Sequence, residues 1–132
     1  MLNQTGITKT SGTTRKNILI APELAFSLPC KVANTGVSAG TDGKKIVKAG
    51  TPLAGDITAR DTAFTVAKDT GDSTKTSDAT CMLLHDVDVT DGTANASALI
   101  FGFVDVSKLE SSVVTLLTTA AKSNLAKITL VK

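Results

Sequence analysis

The chain has no tryptophan and no tyrosine, and four phenylalanines make up its whole aromatic share of 3%. Platforms that stack sugars or single-stranded nucleic acid are usually aromatic, so only phenylalanine could serve here, and the core has to be aliphatic. Histidine occurs once, as His85. An excess of one charge is missing too. Fourteen Lys and Arg stand against 12 Asp and Glu, a formal +2 with the signs interspersed, so there is no basic patch for a nucleic-acid partner. No apolar run is long enough to cross a bilayer. The most apolar early stretch, residues 18–28, is too short and is interrupted by Pro22 and Glu23, with Pro29 just beyond. No secretion leader is read, which makes Asn95-Ala96-Ser97 a chance match to a glycosylation acceptor. The two cysteines, Cys30 and Cys81, lie outside any Cys-x-x-Cys pattern. Without further ligands they suit buried thiols of a protein made in a reducing cytoplasm better than a zinc site.

What remains is 132 residues, enough for one domain with a modest core, rich in Thr, Ser, Ala and Gly. The organising stretch is Lys45-Ile46-Val47-Lys48-Ala49-Gly50-Thr51-Pro52-Leu53-Ala54-Gly55-Asp56. Its alternating start stops at Gly50. Pro52 then fixes its own φ and pushes Thr51 towards extended backbone, so the chain turns here without becoming helical. The most apolar block, Cys81–Val89, precedes a Thr-Asp-Gly turn and a second run, Ala98–Asp105. Two β-prone runs around a Gly-containing connection predict antiparallel partners.

Residues 1–17 are polar and have no periodic apolar face. Either they fray as a terminus, or they form an arm that orders on a partner by adding a strand. Residues 17–21 read as a short strand. Residues 21–29, bounded by prolines, read as irregular or as one helical turn, with a few strand residues at 30–32. Residues 33–44 carry Gly36, Gly40 and Gly43 among turn formers and predict a surface loop. Residues 57–66 alternate imperfectly as a strand, with Phe64 and Val66 on one face. Residues 67–79 predict an exposed loop or hairpin tip. Then the period changes. Ser107 and Glu110 match a capping box, and Leu109, Val113, Leu116, Leu117 and Ala120 recur at helical spacing, which predicts one helix over 107–122. Residues 125–131 close the chain as a strand, with Ile128 and Leu130 on one side.

Positive chemistry is scarce. On a strand, His85 points away from Asp86 and Asp88, which disfavours a local His–Asp relay, and no Gly-x-Ser-x-Gly context supplies a nucleophile. His85 therefore reads as a core or rim residue, and a hydrolase built on it has no motif behind it. Asp86, Asp88, Asp91 and Gly92 miss the spacing of a calcium loop and lack its distal Glu, so they read as turn and strand-edge acids. Gly36, Gly40 and Gly43 lack the Gly-Lys-Ser/Thr ending of a phosphate loop. The expectation is a non-enzyme with no cofactor and no metal.

Taken together, Lys45–Leu53, Leu83–Thr90 and Ala98–Asp105 resemble the head decoration and head-fibre proteins of tailed bacteriophages, over residues 44–132. The resemblance implies a fold that is mainly β with one C-terminal helix (α+β), a small β-clip or β-tulip-like, lambda-type decoration domain over 18–132. It implies a homotrimer on threefold sites outside the expanded phage head, stabilising it, with the major capsid protein as partner and the virion surface as location. It favours the arm reading of residues 1–17, with Leu2, Asn3, Gln4, Thr5, Ile7, Lys9, Arg15 and Lys16 docking on the capsid. The alternative is a head-fibre base or a host-surface, glycan-binding head protein that recognises through residues 67–79.

Overall fold

The structure, a computed structural model, describes residues 17–71 and 76–131. The expected docking residues Leu2, Asn3, Gln4, Thr5, Ile7, Lys9, Arg15 and Lys16 lie outside the described residues, as does the 72–75 part of the expected 67–79 loop. The strands are β1 (Phe26–Val32), β2 (Ile46–Val47), β3 (Pro52–Ala54), β4 (Thr65–Val66), β5 (Asp69–Thr70), β6 (Thr76–Ser77), β7 (Cys81–Leu83), β8 (Val87–Asp88), β9 (Ala94–Asp105) and β10 (Ile128–Val131). Two short helices, α1 (Ser111–Leu116) and α2 (Thr119–Asn124), precede β10. The protein is mainly β with a helical C-terminal part, as expected at that level.

The main sheet runs β1-β9-β7-β3-β4, with β10 joining β9 in parallel. The two apolar runs are antiparallel neighbours, with Met82 opposite Leu99 and Leu83 opposite Ala98. Residues 45–53 of the organising stretch lie antiparallel to the 81–90 segment. Leu83 accepts from the Gly50 amide and donates to Thr51, while Ile46 and Val47 of β2 pair with β8. The expected strand–turn–strand about Gly50 is present. Residues 81–89, however, do not form one strand. They break between β7 and β8, because Asp86 turns back to accept the Ala49 amide at 2.7 Å.

Both faces of the centre are covered, which explains an apolar run with no polar alternation. Met82 and Leu99 join a core with Leu19, Val104, Val113 and Ile128. Cys81, Leu83 and Ala98 join a second core with Val32, Leu53, Val89 and Phe64. Phe64 also closes the sheet. It donates to Lys31 and accepts from Ala33, bridging Val32 in parallel, so the strand leading into β4 meets the outer edge of β1.

Several expectations are corrected. Residues 21–29 do contain one helical turn, Pro22–Leu24, but β1 begins at Phe26 and runs through Pro29. Pro29 is tolerated because the carbonyls of Pro29 and Lys31 face away from β9, towards Arg60 and Phe64. A proline there lacks only an amide that no ladder partner needs. Of the strand expected at 57–66, only Phe64's bridge and β4 exist; residues 57–63 are turns, shaped in part by the Asp56 carboxylate accepting from Thr58. Residues 17–21 reduce to a bridge at Leu19, flanked by Ile20 N–H to Phe103 and Asp105 N–H to Ile18.

The single helix over 107–122 is also corrected. Ser107 does not cap a helix. Asp105 accepts from both its amide and its hydroxyl, setting a 3-10 turn at 106–108. Glu110 makes no cap bond and pairs instead with Lys48 at 3.4 Å. The helix stops at Leu116 and restarts because the Thr118 hydroxyl accepts from the Ala121 amide, a fresh N-cap. The buried stripe follows steps of four: Leu109, Val113, Leu117, Ala121 and Leu125 are buried, whereas Leu116 is exposed. In β10, Ile128 and Leu130 do share the inner side.

Candidate interaction surface

β9 is long enough to carry two environments, and a bulge separates them. Phe26 faces Phe101 but Ser27 faces Leu99, so Ile100 is an extra residue on β9. Beyond the bulge, the two-residue period sends Val104 inward with Leu19, and puts Phe101 and Phe103 on the opposite face. Antiparallel partners share a face, so Phe26 joins Phe101, and Ile20 joins Phe103. On the other flank Val131 pairs with Asp105 and points the same way. Leu24 lies in the turn between Ile20 and Phe26.

The result is an apolar face in solvent. Phe26 is 54% exposed, Phe101 46%, Ile20 49% and Leu24 56%. Only Phe64, of four phenylalanines, is fully buried. With about 150–250 Å² per aromatic side chain, these residues and Val131 leave roughly 400 Å² of apolar surface in one patch. Patches of that size on a single chain are commonly functional. The sequence carries a signal of this face: Phe101-Gly102-Phe103 sets two rings on one side of a strand, and residues 18–28 are the most apolar early stretch. Neither residue set could be assigned to a face without knowing which side of β9 the core occupies.

The residues considered for chemistry are dispersed. His85 lines a cleft of about 230 Å³ with Asp86, Asn95 and Ser97, and its Nδ1 is buried with no partner among the described residues. Asp86 is engaged by the Ala49 amide, so the two do not form a relay. Asp88 accepts from the amide and hydroxyl of Thr90, which holds its carboxyl below the usual range. Ser107 and Thr58 do the same for Asp105 and Asp56. Among the described residues, no three His, Cys, Asp or Glu side chains gather as a metal site.

Cys30 and Cys81 are free, buried thiols within one core. Burial pushes Cys81 up to about 11, with the Thr80 hydroxyl opposing, and raises Cys30, with Arg60 opposing. Both stay protonated near neutral pH and are poor nucleophiles. A shallow cleft of about 520 Å³ between β1 and the 57–61 turns holds Lys31, Arg60, Asp61 and Asn95, but the Arg60 guanidinium is occupied by the Pro29 carbonyl at 2.9 Å. Among the described residues, no helix is long and apolar enough to cross a membrane.

The arrangement that is present is therefore an exposed apolar face on β1 and β9, beside the first described residues. No family model matches the chain, and no curated protein matches it.

Proposed function

We propose that the protein is a capsid decoration protein of a tailed-phage head, with a small β-clip-like domain. It binds the major capsid protein as a trimer, at threefold sites on the outside of the expanded head, and stabilises the shell. The observation that carries this reading is the exposed apolar face around Phe26 and Phe101, beside the first described residues. A chain poor in aromatics places two of its rings in water there, where a partner that covered them would gain apolar burial. At about 25 cal/mol per Å², covering roughly 400 Å² contributes on the order of 10 kcal/mol before association costs. Contacts available only on the expanded shell stabilise it by mass action, and three arms engaging together act at high effective concentration.

The test is co-sedimentation of purified protein with expanded heads that lack it, followed by heating of the decorated shells. Expected are saturable binding and a higher shell-disruption temperature, both weakened by deleting residues 2–17. Absence of binding at tens of micromolar refutes the proposal.

A further inference from the structure

We infer that the outer edge of β10 is a strand-acceptor site, filled by an extended segment of the major capsid protein. The inference rests on the decoration reading above and names the shape and chemistry of the partner segment. β10 lies parallel to β9, and the Gly102 amide donates to the Lys127 carbonyl at 3.3 Å. In that ladder residues 127, 129 and 131 pair with β9, so 128 and 130 turn their backbone groups outward. The Ile128 amide is taken by the Leu125 carbonyl at 3.0 Å. The Ile128 carbonyl and both backbone groups of Leu130 have no partner among the described residues, and no other described strand or helix runs along this edge.

The outer edge of β1, by contrast, is defended from Pro29 onward. Pro29 offers no amide, its carbonyl is taken by Arg60, and Lys31 accepts from Phe64. β10 has none of these devices: Ile128-Thr129-Leu130-Val131 carries no charge and no proline, and its register with β9 is regular. An N–H between two carbonyls along one edge fits the backbone of an extended chain, not that of a helix. Three hydrogen bonds fix the register, and the affinity comes from side chains. Thr129 lies opposite Phe103 and Val131 opposite Asp105, so an added strand sets alternate side chains beside Thr129 and Val131. It widens the exposed apolar face by about 4.8 Å. Its other side chains meet Leu130, half-buried against the inner core. The segment is therefore apolar on both faces. Lys127, exposed at the start of the edge and without an ion pair among the described residues, favours an acidic residue at that end.

The test uses the full chain and expanded heads that lack it. Hydrogen exchange, quenched and read at single amides, follows Leu130 in the free protein and on the heads. Co-sedimentation reads the affinity of wild type, Leu130→Pro and Leu130→Ala. Proline removes the outward amide and none of the bonds to β9, whereas alanine keeps the amide and removes the packing of the side chain. Circular dichroism confirms that both variants are folded. Expected is a Leu130 amide that exchanges freely in the free protein and at least tenfold slower on heads. The dissociation constant rises at least tenfold in Leu130→Pro but less than threefold in Leu130→Ala. A Leu130 amide already slow in the free protein, or equally fast on heads, overturns the inference whatever the variants do. So does a folded Leu130→Pro that binds as Leu130→Ala does. Wild type that binds and stabilises heads with Leu130 unprotected loses the inference alone; wild type that does not bind loses the proposed function as well.

Discussion

Gly50→Ala probes the joint on which the fold turns. Gly50 has φ +91°, a conformation that a residue with a Cβ resists at about 1–2 kcal/mol. Its amide also donates to the Leu83 carbonyl at 2.7 Å, so the turn cannot relax away from β7 freely. A methyl group here would overlap Leu109 Cδ2 and sit 3.3 Å from Val113 Cγ1. Leu109 and Val113 are buried in the core beneath the helical segment, so relief requires repacking, typically about 1–3 kcal/mol. The expected total is about 2–5 kcal/mol, against a global stability on the order of 10 kcal/mol for a chain of this length. Urea unfolding followed by circular dichroism measures it, with a Tm fall of roughly 10 °C or more as a second readout. Gly43→Ala is the control. It shares a positive φ, +79°, but nothing lies within 4 Å of its added methyl, so only about 1 kcal/mol is lost. In a Leu109→Ala background, the cost of Gly50→Ala falls to that of the control. Equal losses for Gly50→Ala and Gly43→Ala, or no relief from Leu109→Ala, would refute the packing account.

Other outcomes follow from the same geometry. Gly55→Ala drives a methyl group into the buried Phe64 ring and destabilises by about 2–4 kcal/mol in the urea assay; Phe64→Leu in the same chain recovers part of the loss. Asp86→Ala leaves the Ala49 amide without its acceptor and lowers stability by about 1–3 kcal/mol, and an unchanged urea midpoint would show that the bond is dispensable. Native protein at pH 8 reacts slowly with a thiol reagent, Cys30 before Cys81, and both react at once in urea; rapid native labelling of Cys81 would contradict its burial. Asp105 has a folded pKa below its unfolded value because it accepts from Ser107, so its contribution is full above about pH 4 and lost as pH falls through the folded pKa. Asp105→Asn therefore flattens the acid slope of stability below about pH 4, and an unaltered slope would assign acid unfolding to other groups.

Several elements were legible because their signals are local. Gly50-Thr51-Pro52 dictates a turn between extended segments whatever surrounds it, and the paired apolar runs at 81–83 and 98–105 meet because each is β-prone and must be buried. The periodic helical stripe survived as a stripe even where the helix broke. The break itself was not read: the Thr118 hydroxyl caps a second helix, while Asp105, two residues before Ser107, takes the Ser107 hydroxyl and amide and sets a 3-10 turn where the helix start was expected. The strand through Pro29 required knowing that β1 lies at the sheet's rim.

The interaction face shows the limit most clearly. By itself the sequence determined that the core is aliphatic, that the domain is mainly β, and that Phe101 and Phe103 share one side of their strand. Only the tertiary structure decided that this side faces water, beside Phe26 and Ile20. Alternation fixes which residues lie together, but which of two faces is covered depends on the layers that pack from far along the chain, here the helical segment from Leu109 to Leu125 and the closing strand at Ile128.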